Sequence, residues 1–329
     1  MSSTMRAVVA QTPGPPDVLQ VVQCPIPQPS PGQVRIKVKA FGLNRSEMFT
    51  RQGHSGSAVQ FPRILGIEAV GIVDTAPGLE DRFPVGATVA TALGGMGRAF
   101  DGGYAEYTCV PAKQVQIVKT TLPWEVLGAL PEMLQTAWGS VIRSLSLRPG
   151  DRLLIRGGTS SVGLAAAAIA KKHGAFVAST TRKRERAALL RDHGVDEVWI
   201  DDGAIAPQIA DTSGQYFDKV LELVGTVTLA DSLQCVKKGG IVSMTGILGS
   251  KWHLDKINPM ELIPSESKLT TYSGTNEQFM RMPLNELVKM VEQETLKVRV
   301  GRVFKLKEIA EAHRCMEDNE AEGKIVVVP

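Results

Sequence analysis

The sequence predicts an α/β protein of two domains, a mostly β domain followed by a doubly wound parallel sheet. Three observations carry this. The first third runs in short β-branched stretches between Pro- and Gly-rich turns. From Asp151 onward apolar strands alternate with helical stretches, which argues for a parallel sheet covered by helices on both faces. One of those strands runs into a Gly-rich turn that opens an Ala-rich helix. A length of 329 residues suits about two domains of roughly 150 residues each.

In chain order, Arg6-Ala-Val-Val, Gln33-Val-Arg-Ile-Lys-Val-Lys-Ala and Glu68-Ala-Val-Gly-Ile-Val-Asp read as strands. The second alternates apolar and polar residues from Val34 to Val38, the pattern of a half-buried strand. The character changes near Leu122-Pro-Trp. Strands are then expected at 152–156, 175–180, 197–201, 218–224, 240–245 and 268–272, with helices at 162–173 and 183–193. The last stretch offers a strand, a helix carrying Ile309, Ala312, His313 and Met316 at helical spacing, and a closing strand from Lys324.

Composition excludes several classes. Apolar residues make up 43% of the chain, ample for a packed core, and 37 Lys+Arg stand against 34 Asp+Glu. The local basic cluster of Arg182, Lys183, Arg184 and Arg186 is too short for a nucleic-acid arm, so a nucleic-acid partner is not expected. The four cysteines lie far apart with no C-x-x-C pair, and neither a zinc site nor a disulfide framework can be read from them. The N-terminus lacks the layout of a signal peptide, and no apolar run approaches the ~20 residues of a bilayer span. A soluble, cytoplasmic protein with no membrane contact is the expectation.

The strongest chemical signal is Leu153-Leu-Ile-Arg-Gly-Gly-Thr-Ser-Ser-Val-Gly followed by Leu164 and four alanines. In a dinucleotide-binding unit such glycines let the backbone approach a pyrophosphate, and the helix N-terminus offers unpaired N–H groups. Aligned to end at Gly163, the G-x-G-x-x-G positions fall on Gly158, Ser160 and Gly163, failing only at the serine. Thr159, Ser160, Ser161, Val162 and Gly163 are therefore the candidate phosphate residues; a tight turn that binds nothing is the alternative. NAD-binding units usually carry an acid about 20 residues on, to hold the ribose 2′-OH. Here that position reads Thr181-Arg182-Lys183-Arg184. An acid would repel a 2′-phosphate and an arginine can fork onto it, so Thr181, Arg182, Lys183 and Arg186 favour NADPH. A solvated basic helix start is the competing reading.

At this point the chain resembles the medium-chain dehydrogenase/reductase superfamily, and within it the zinc-independent quinone oxidoreductase (zeta-crystallin-like) group. Ala40-Phe-Gly-Leu-Asn-Arg-Ser-Glu-Met-Phe-Thr-Arg-Gln-Gly, Gly102-Gly-Tyr-Ala-Glu-Tyr, Leu130-Pro131 through Thr136-Ala137, Leu223-Val-Gly, Gly246-Ile-Leu-Gly and Gly323-Lys-Ile-Val follow the family's order along nearly the whole chain. The resemblance implies a GroES-like catalytic domain from residues 1–123 and 298–329, and a Rossmann NADP(H)-binding domain from 124–297. It also implies an active site in the cleft between them, and a homodimer.

Further expectations follow from it. Zinc-dependent relatives place a Cys where this chain has Asn44 and a His where it has Ile67; amide and alkyl side chains are poor zinc ligands, so no zinc is expected. Asn44 would lie beside the nicotinamide, where it could hydrogen-bond substrate or, alternatively, tie down a loop. By the resemblance Asn44, Phe49 and Tyr104 are the catalytic candidates: Phe49 stands where many relatives have Tyr, and Tyr104 matches a family position, although a strand tyrosine is more often core than catalyst. Thr136 would approach the carboxamide, while Val224, Gly225, Gly246, Ile247 and Leu248 would line the nicotinamide half. His54 reads as an exposed loop residue and His313 as a packed helix residue. Without a metal the acceptor must be electron-poor, which fits a quinone or an α,β-unsaturated carbonyl. The implied activity is that of a zinc-free NADPH-dependent oxidoreductase acting on such a small molecule. Alternatives are an enoyl or alkenal reductase with little quinone activity, and a non-catalytic NADPH-binding sensor.

Overall fold

Period-two alternation organises the N-terminal unit. In the computed structural model, which describes residues 3–212 and 214–329, Val34, Ile36, Val38 and Ala40 are buried and the residues between them are not. The unit comprises Met1–Glu132 and Thr275–Pro329. Its first strands are β1 (Thr4–Ala10), β2 (Leu19–Pro25), β3 (Gln33–Gly42), β4 (Arg63–Ile64), β5 (Glu68–Thr75), β6 (Thr88–Ala92), β7 (Tyr107–Pro111) and β8 (Val115–Ile117). Antiparallel β1 pairs with β2 and β4, and β3 pairs antiparallel with both β5 and β7. Val34, Ile36, Phe41, Val110 and Val115 lie in one continuous core.

The second unit, Met133–Gly274, is built on β9 (Arg152–Arg156), β10 (Phe176–Thr181), β11 (Glu197–Ile200), β12 (Phe217–Glu222), β13 (Val236–Met244) and β14 (Lys268–Thr271). All five pairings are parallel, in the order β11-β10-β9-β12-β13-β14. That is the doubly wound order of a Rossmann sheet, whose ligands bind beyond the carboxyl ends of the strands. Leu153, Leu154 and Ile155 of β9 are fully buried, as a strand covered on both faces requires.

The chain then returns to the first unit as β15 (Val300–Lys305) and β16 (Lys324–Val328), the latter pairing antiparallel with the end of β3 at Phe41 and Gly42. The α/β architecture thus has the predicted parts, a β unit completed by the C-terminal strand and a parallel-sheet unit.

Two elements differ from the sequence reading. Strand β13 starts at Val236, ahead of the expected 240–245, and its early residues are accommodated by a register shift in the β12–β13 pairing. The helix expected over 183–193 is a 3₁₀ turn, Arg184–Arg186, leading into a short helix Ala187–Asp192. Thr181 Oγ1 accepts from Lys183 N at 3.1 Å, closing a local turn that delays the helix.

Candidate nucleotide site and a buried charge cluster

The Gly-rich turn is built by three constraints. Gly157 leaves β9 at φ +83°, where an L side chain is strained. Ser160 caps the helix Ser161–Lys172: its Oγ accepts from Gly163 N at 3.1 Å and donates to Gly157 O at 2.9 Å. At Gly163 a Cβ would come within 2.7 Å of Gly158 O and 2.8 Å of Gly157 O, both backbone atoms that cannot swing away. The Ser160 hydroxyl is therefore engaged within the turn, whereas the amides of Thr159, Ser161 and Val162 have no hydrogen-bond partner among the described residues. Three open N–H groups at a helix N-terminus form a site for an anion.

Several of the remaining candidates of this unit flank the turn. Gly157 N donates to Thr180 Oγ1 at 3.1 Å, linking it to the end of β10. There Thr181 is buried, and Arg182 and Lys183 are exposed, with Arg186 half-buried one turn on. A Cβ on Gly157 would lie 3.1 Å from Leu248 Cδ1 and 3.3 Å from Val224 Cγ2, so the loops after β12 and β13 flank the turn. Those loops are tied together: Leu248 N donates to Leu223 O at 3.1 Å and Gly249 N to Val224 O at 2.8 Å. Gly225, Gly246 and Ile247 belong to the same pair of loops. Thr136 stands on the helix Pro131–Trp138, half-buried, with its hydroxyl 3.5 Å from Gln135 Oε1.

Beneath the turn lies a set of buried polar residues that sequence reasoning missed. Arg156 ends β9 with no exposed surface. It forks onto Asp201 at 2.8 and 2.9 Å, pairs with Asp231, and donates to Ser232 Oγ at 3.3 Å. Burial works against its charge, but the two aspartates override it and leave its pKa raised. Glu222, its register neighbour on β12, accepts from Val224 N at 2.6 Å, Gly225 N at 2.9 Å, Thr228 Oγ1 at 3.0 Å and Ser232 Oγ. Burial pushes the Glu222 carboxyl upward against these donors and Arg156. The available signal was an arginine inside an otherwise apolar buried strand.

In the other unit the three expected catalytic residues occupy separate settings. Asn44 is the N-cap of the helix Arg45–Arg51 in a capping box with Glu47. Its Nδ2 donates to Glu68 Oε1 at 2.9 Å and Glu47 Oε1 at 3.3 Å, and its Oδ1 accepts from Lys324 Nζ. Both amide protons are thus committed to carboxylates, the arrangement of a residue that ties down a loop. Phe49, on the same helix, meets His54 edge-on at 6.2 Å. Tyr104 is fully buried, stacked on Phe41 at 4.8 Å, with its hydroxyl 3.1 Å from His313 Nε2. That hydroxyl is closed off in the core, the packed setting weighed for Tyr104 from the sequence. His313 is held neutral, its pKa pushed down to about 3 by burial and then by Arg51.

Around Asn44 the chain buries Glu47, Glu68 and Lys324, each 3% exposed or less. Lys324 Nζ lies 3.1 Å from Glu68 Oε1 and 3.8 Å from Glu132 Oε2. Burial works against the ammonium, but Glu68, Glu132 and Glu47 hold its pKa above the usual lysine range. Glu47 also accepts from Ile67 N at 3.1 Å. Burial pushes its carboxyl up to about 7, with Glu68 reinforcing the shift and the Ile67 amide and Lys324 opposing it. An amide and an ammonium are poor company for a metal ion, and Ile67 supplies no ligand, so this donor set does not fit zinc. No group of three or more His, Cys, Asp or Glu is placed to hold a metal among the described residues. Nor is any helix among them long and apolar enough to cross a membrane.

Comparison with known proteins agrees with this architecture. Residues 30–120 match the family described as "Alcohol dehydrogenase GroES-like domain", and residues 193–327 match that described as "Zinc-binding dehydrogenase". The chain is 28% identical to quinone oxidoreductase of Homo sapiens over 336 residues, covering 98% of each chain. It is 28% identical to quinone oxidoreductase of Pseudomonas aeruginosa over 330 residues, covering 96% of this chain and 97% of the relative. A mycobacterial protein solved in complex with NADPH superposes with a TM-score of 0.86 at 26% identity, covering 99% of this chain and 100% of that one. With a GroES-like β unit, a Rossmann sheet and similarity along the whole chain, the protein belongs to the medium-chain dehydrogenase/reductase superfamily of oxidoreductases.

Proposed function

We propose that the protein is a zinc-free, NADPH-dependent reductase acting on a quinone or an α,β-unsaturated carbonyl. The observation that carries this reading is the pairing of three open amides at Thr159, Ser161 and Val162 with exposed Arg182 and Lys183 at the end of β10. The amides would hold the pyrophosphate, and Arg182 and Lys183, with Arg186, the 2′-phosphate. Thr136, Val224, Gly225 and the loop 246–248 would lie along the nicotinamide, which when bound supplies a hydride. Conjugated acceptors suit a site without a Lewis acid, because the substrate's own π-system spreads the charge it gains. Lys324 supports the zinc-free part, since its ammonium already neutralises Glu68 beside Asn44. The reading also makes the protein a cytoplasmic homodimer, which sedimentation of the purified chain would test.

Fluorescence titration with NADPH and, separately, NADH tests the nucleotide assignment. NADPH should bind at least about tenfold more tightly, since one charge-assisted contact to the 2′-phosphate is worth roughly 1.5–3 kcal/mol. Arg182→Glu should reduce that preference sharply. Equal affinity for the two nucleotides would sink the 2′-phosphate assignment. Turnover of NADPH with a panel of quinones and enones then identifies the acceptor class.

A further inference from the structure

We infer that Glu222 is a positioning residue for the nicotinamide half of the nucleotide, fixing the turn at Val224 and Gly225 through their backbone amides and itself fixed by Arg156 through Ser232. The inference rests on the NADPH reading above, because it concerns how that site is held in shape.

The geometry is specific. Glu222 is the last residue of β12 and lies beside Arg156, the last residue of β9, at the strand ends where open α/β sheets bind ligands. The residue has no exposed surface, so water does not solvate its carboxylate and the protein must. Oε1 takes the amides of Val224 and Gly225, at 2.6 and 2.9 Å. Oε2 takes Thr228 Oγ1 at 3.0 Å and Ser232 Oγ, and Ser232 Oγ accepts from Arg156 Nη1 at 3.3 Å. Arg156 cannot drift, because Asp201 holds its Nε and Nη2 and Asp231 shares Nη1 with Ser232. Asp231 in turn accepts from Ile205 N at 2.9 Å and Ala206 N at 3.1 Å, and Asp201 from Gly203 N at 2.9 Å. One connected set of polar groups therefore pins the loops after β11 and β12.

The second nicotinamide-side loop follows from the first. Gly225 sits at φ +102°, and a Cβ there would be 2.9 Å from Gly246 O. Val224 O and Leu223 O accept from Gly249 N and Leu248 N. A shift of the 224–225 turn must carry the 246–249 loop with it. The open amides of Thr159, Ser161 and Val162, by contrast, are set by Ser160 and the turn glycines, so the phosphate end has its own support.

That separation makes the test. Glu222→Gln keeps the shape but leaves one acceptor oxygen instead of two, so its Nε2 must face either the turn amides or the Thr228 and Ser232 hydroxyls. Thr228→Val leaves the carboxylate and removes one of its donors. Each variant is titrated with NADPH and with the adenosine bisphosphate half alone, which lacks the nicotinamide. For Glu222→Gln the NADPH dissociation constant should rise about tenfold, the loss of roughly one hydrogen bond's worth of positioning, while that of the fragment stays within about twofold. Thr228→Val should move NADPH in the same direction by a smaller factor, and it carries the test alone if Glu222→Gln does not fold. A merely structural role would weaken both ligands alike, or lower Tm with neither affinity changed; either result overturns the inference. If the wild-type chain binds neither ligand, the nucleotide reading itself falls and the inference with it.

Discussion

Each unit buries a cluster of charge, and the two are balanced differently. Around Lys324, one ammonium faces Glu68 at 3.1 Å and Glu132 at 3.8 Å, with Glu47 close by, and neither Glu47 nor Glu68 is more than 1% exposed. Around Arg156, one guanidinium forks onto Asp201 and Asp231, whose side chains keep 8% and 16% exposure and take backbone amides besides. In the first cluster burial, reinforced by Glu68, pushes the Glu47 carboxyl up to about 7. In the second, burial works against ionised Asp201, but Arg156 overrides it and holds that carboxyl below its usual range. The difference teaches that depth and partners act together: fully buried Glu222 takes four donors and is still pushed up, whereas part-exposed Asp201, forked by Arg156, is held down.

Removing each cation gives the largest expected contrast. Lys324→Met should cost about 3–5 kcal/mol at neutral pH, the loss typical when a buried pair is broken from one side. Urea denaturation measures it, and the loss should shrink toward pH 5, where protonating Glu47 relieves the unpaired charge. Arg156→Met should cost less, because water reaches both of its aspartates. A larger loss for Arg156→Met would reverse the comparison.

Acid–base titration of stability gives the next contrast. The folded pKa of Glu47, about 7, is raised above its ordinary 4.5. Its contribution is therefore fully present below about pH 4.5 and is lost as pH rises through 7. The size is about 3 kcal/mol. Glu47→Gln should flatten that slope when urea midpoints are compared between pH 5 and 8. For Asp201 the sign is opposite: its folded pKa is lowered, so its contribution is present above its ordinary value of 3.8 and is lost as pH falls through the folded one. Asp201→Asn should cost about 1–2 kcal/mol at neutral pH and little in strong acid, measured in the same way.

The smallest effect lies outside both clusters and calibrates them. Ser160→Ala removes the cap that accepts from Gly163 N and should cost about 1 kcal/mol with no pH dependence, since no ionisable group is touched. A pH-dependent loss there would mean that the helix start is coupled to the Arg156 cluster.

Most of the parallel-sheet unit was legible because its signals are local. Strand, turn and helix around Gly157 and Gly163 lie within one short stretch, and the absence of an acid beside Arg182 is read directly off the chain. The 3₁₀ turn at Arg184–Arg186 and the early start of β13 were not legible, since a single hydroxyl and a register shift decide them. Asn44 could be read in two ways because its partners are remote: Lys324 is 280 positions away. Tyr104 was likewise ambiguous until His313, 209 positions on, took its hydroxyl.

Periodicity and turn chemistry act over a few residues, so the chain alone specified the α/β class, the succession of strands and helices, and the phosphate-type turn. Which acids meet which cation depends on strands brought together from distant parts of the chain, as β16 is brought to β3. The buried ion clusters, and with them the raised Glu47 carboxyl and the fixed 224–225 turn, therefore exist only in the folded protein, because charge–charge energies depend on distance and burial rather than on order along the chain.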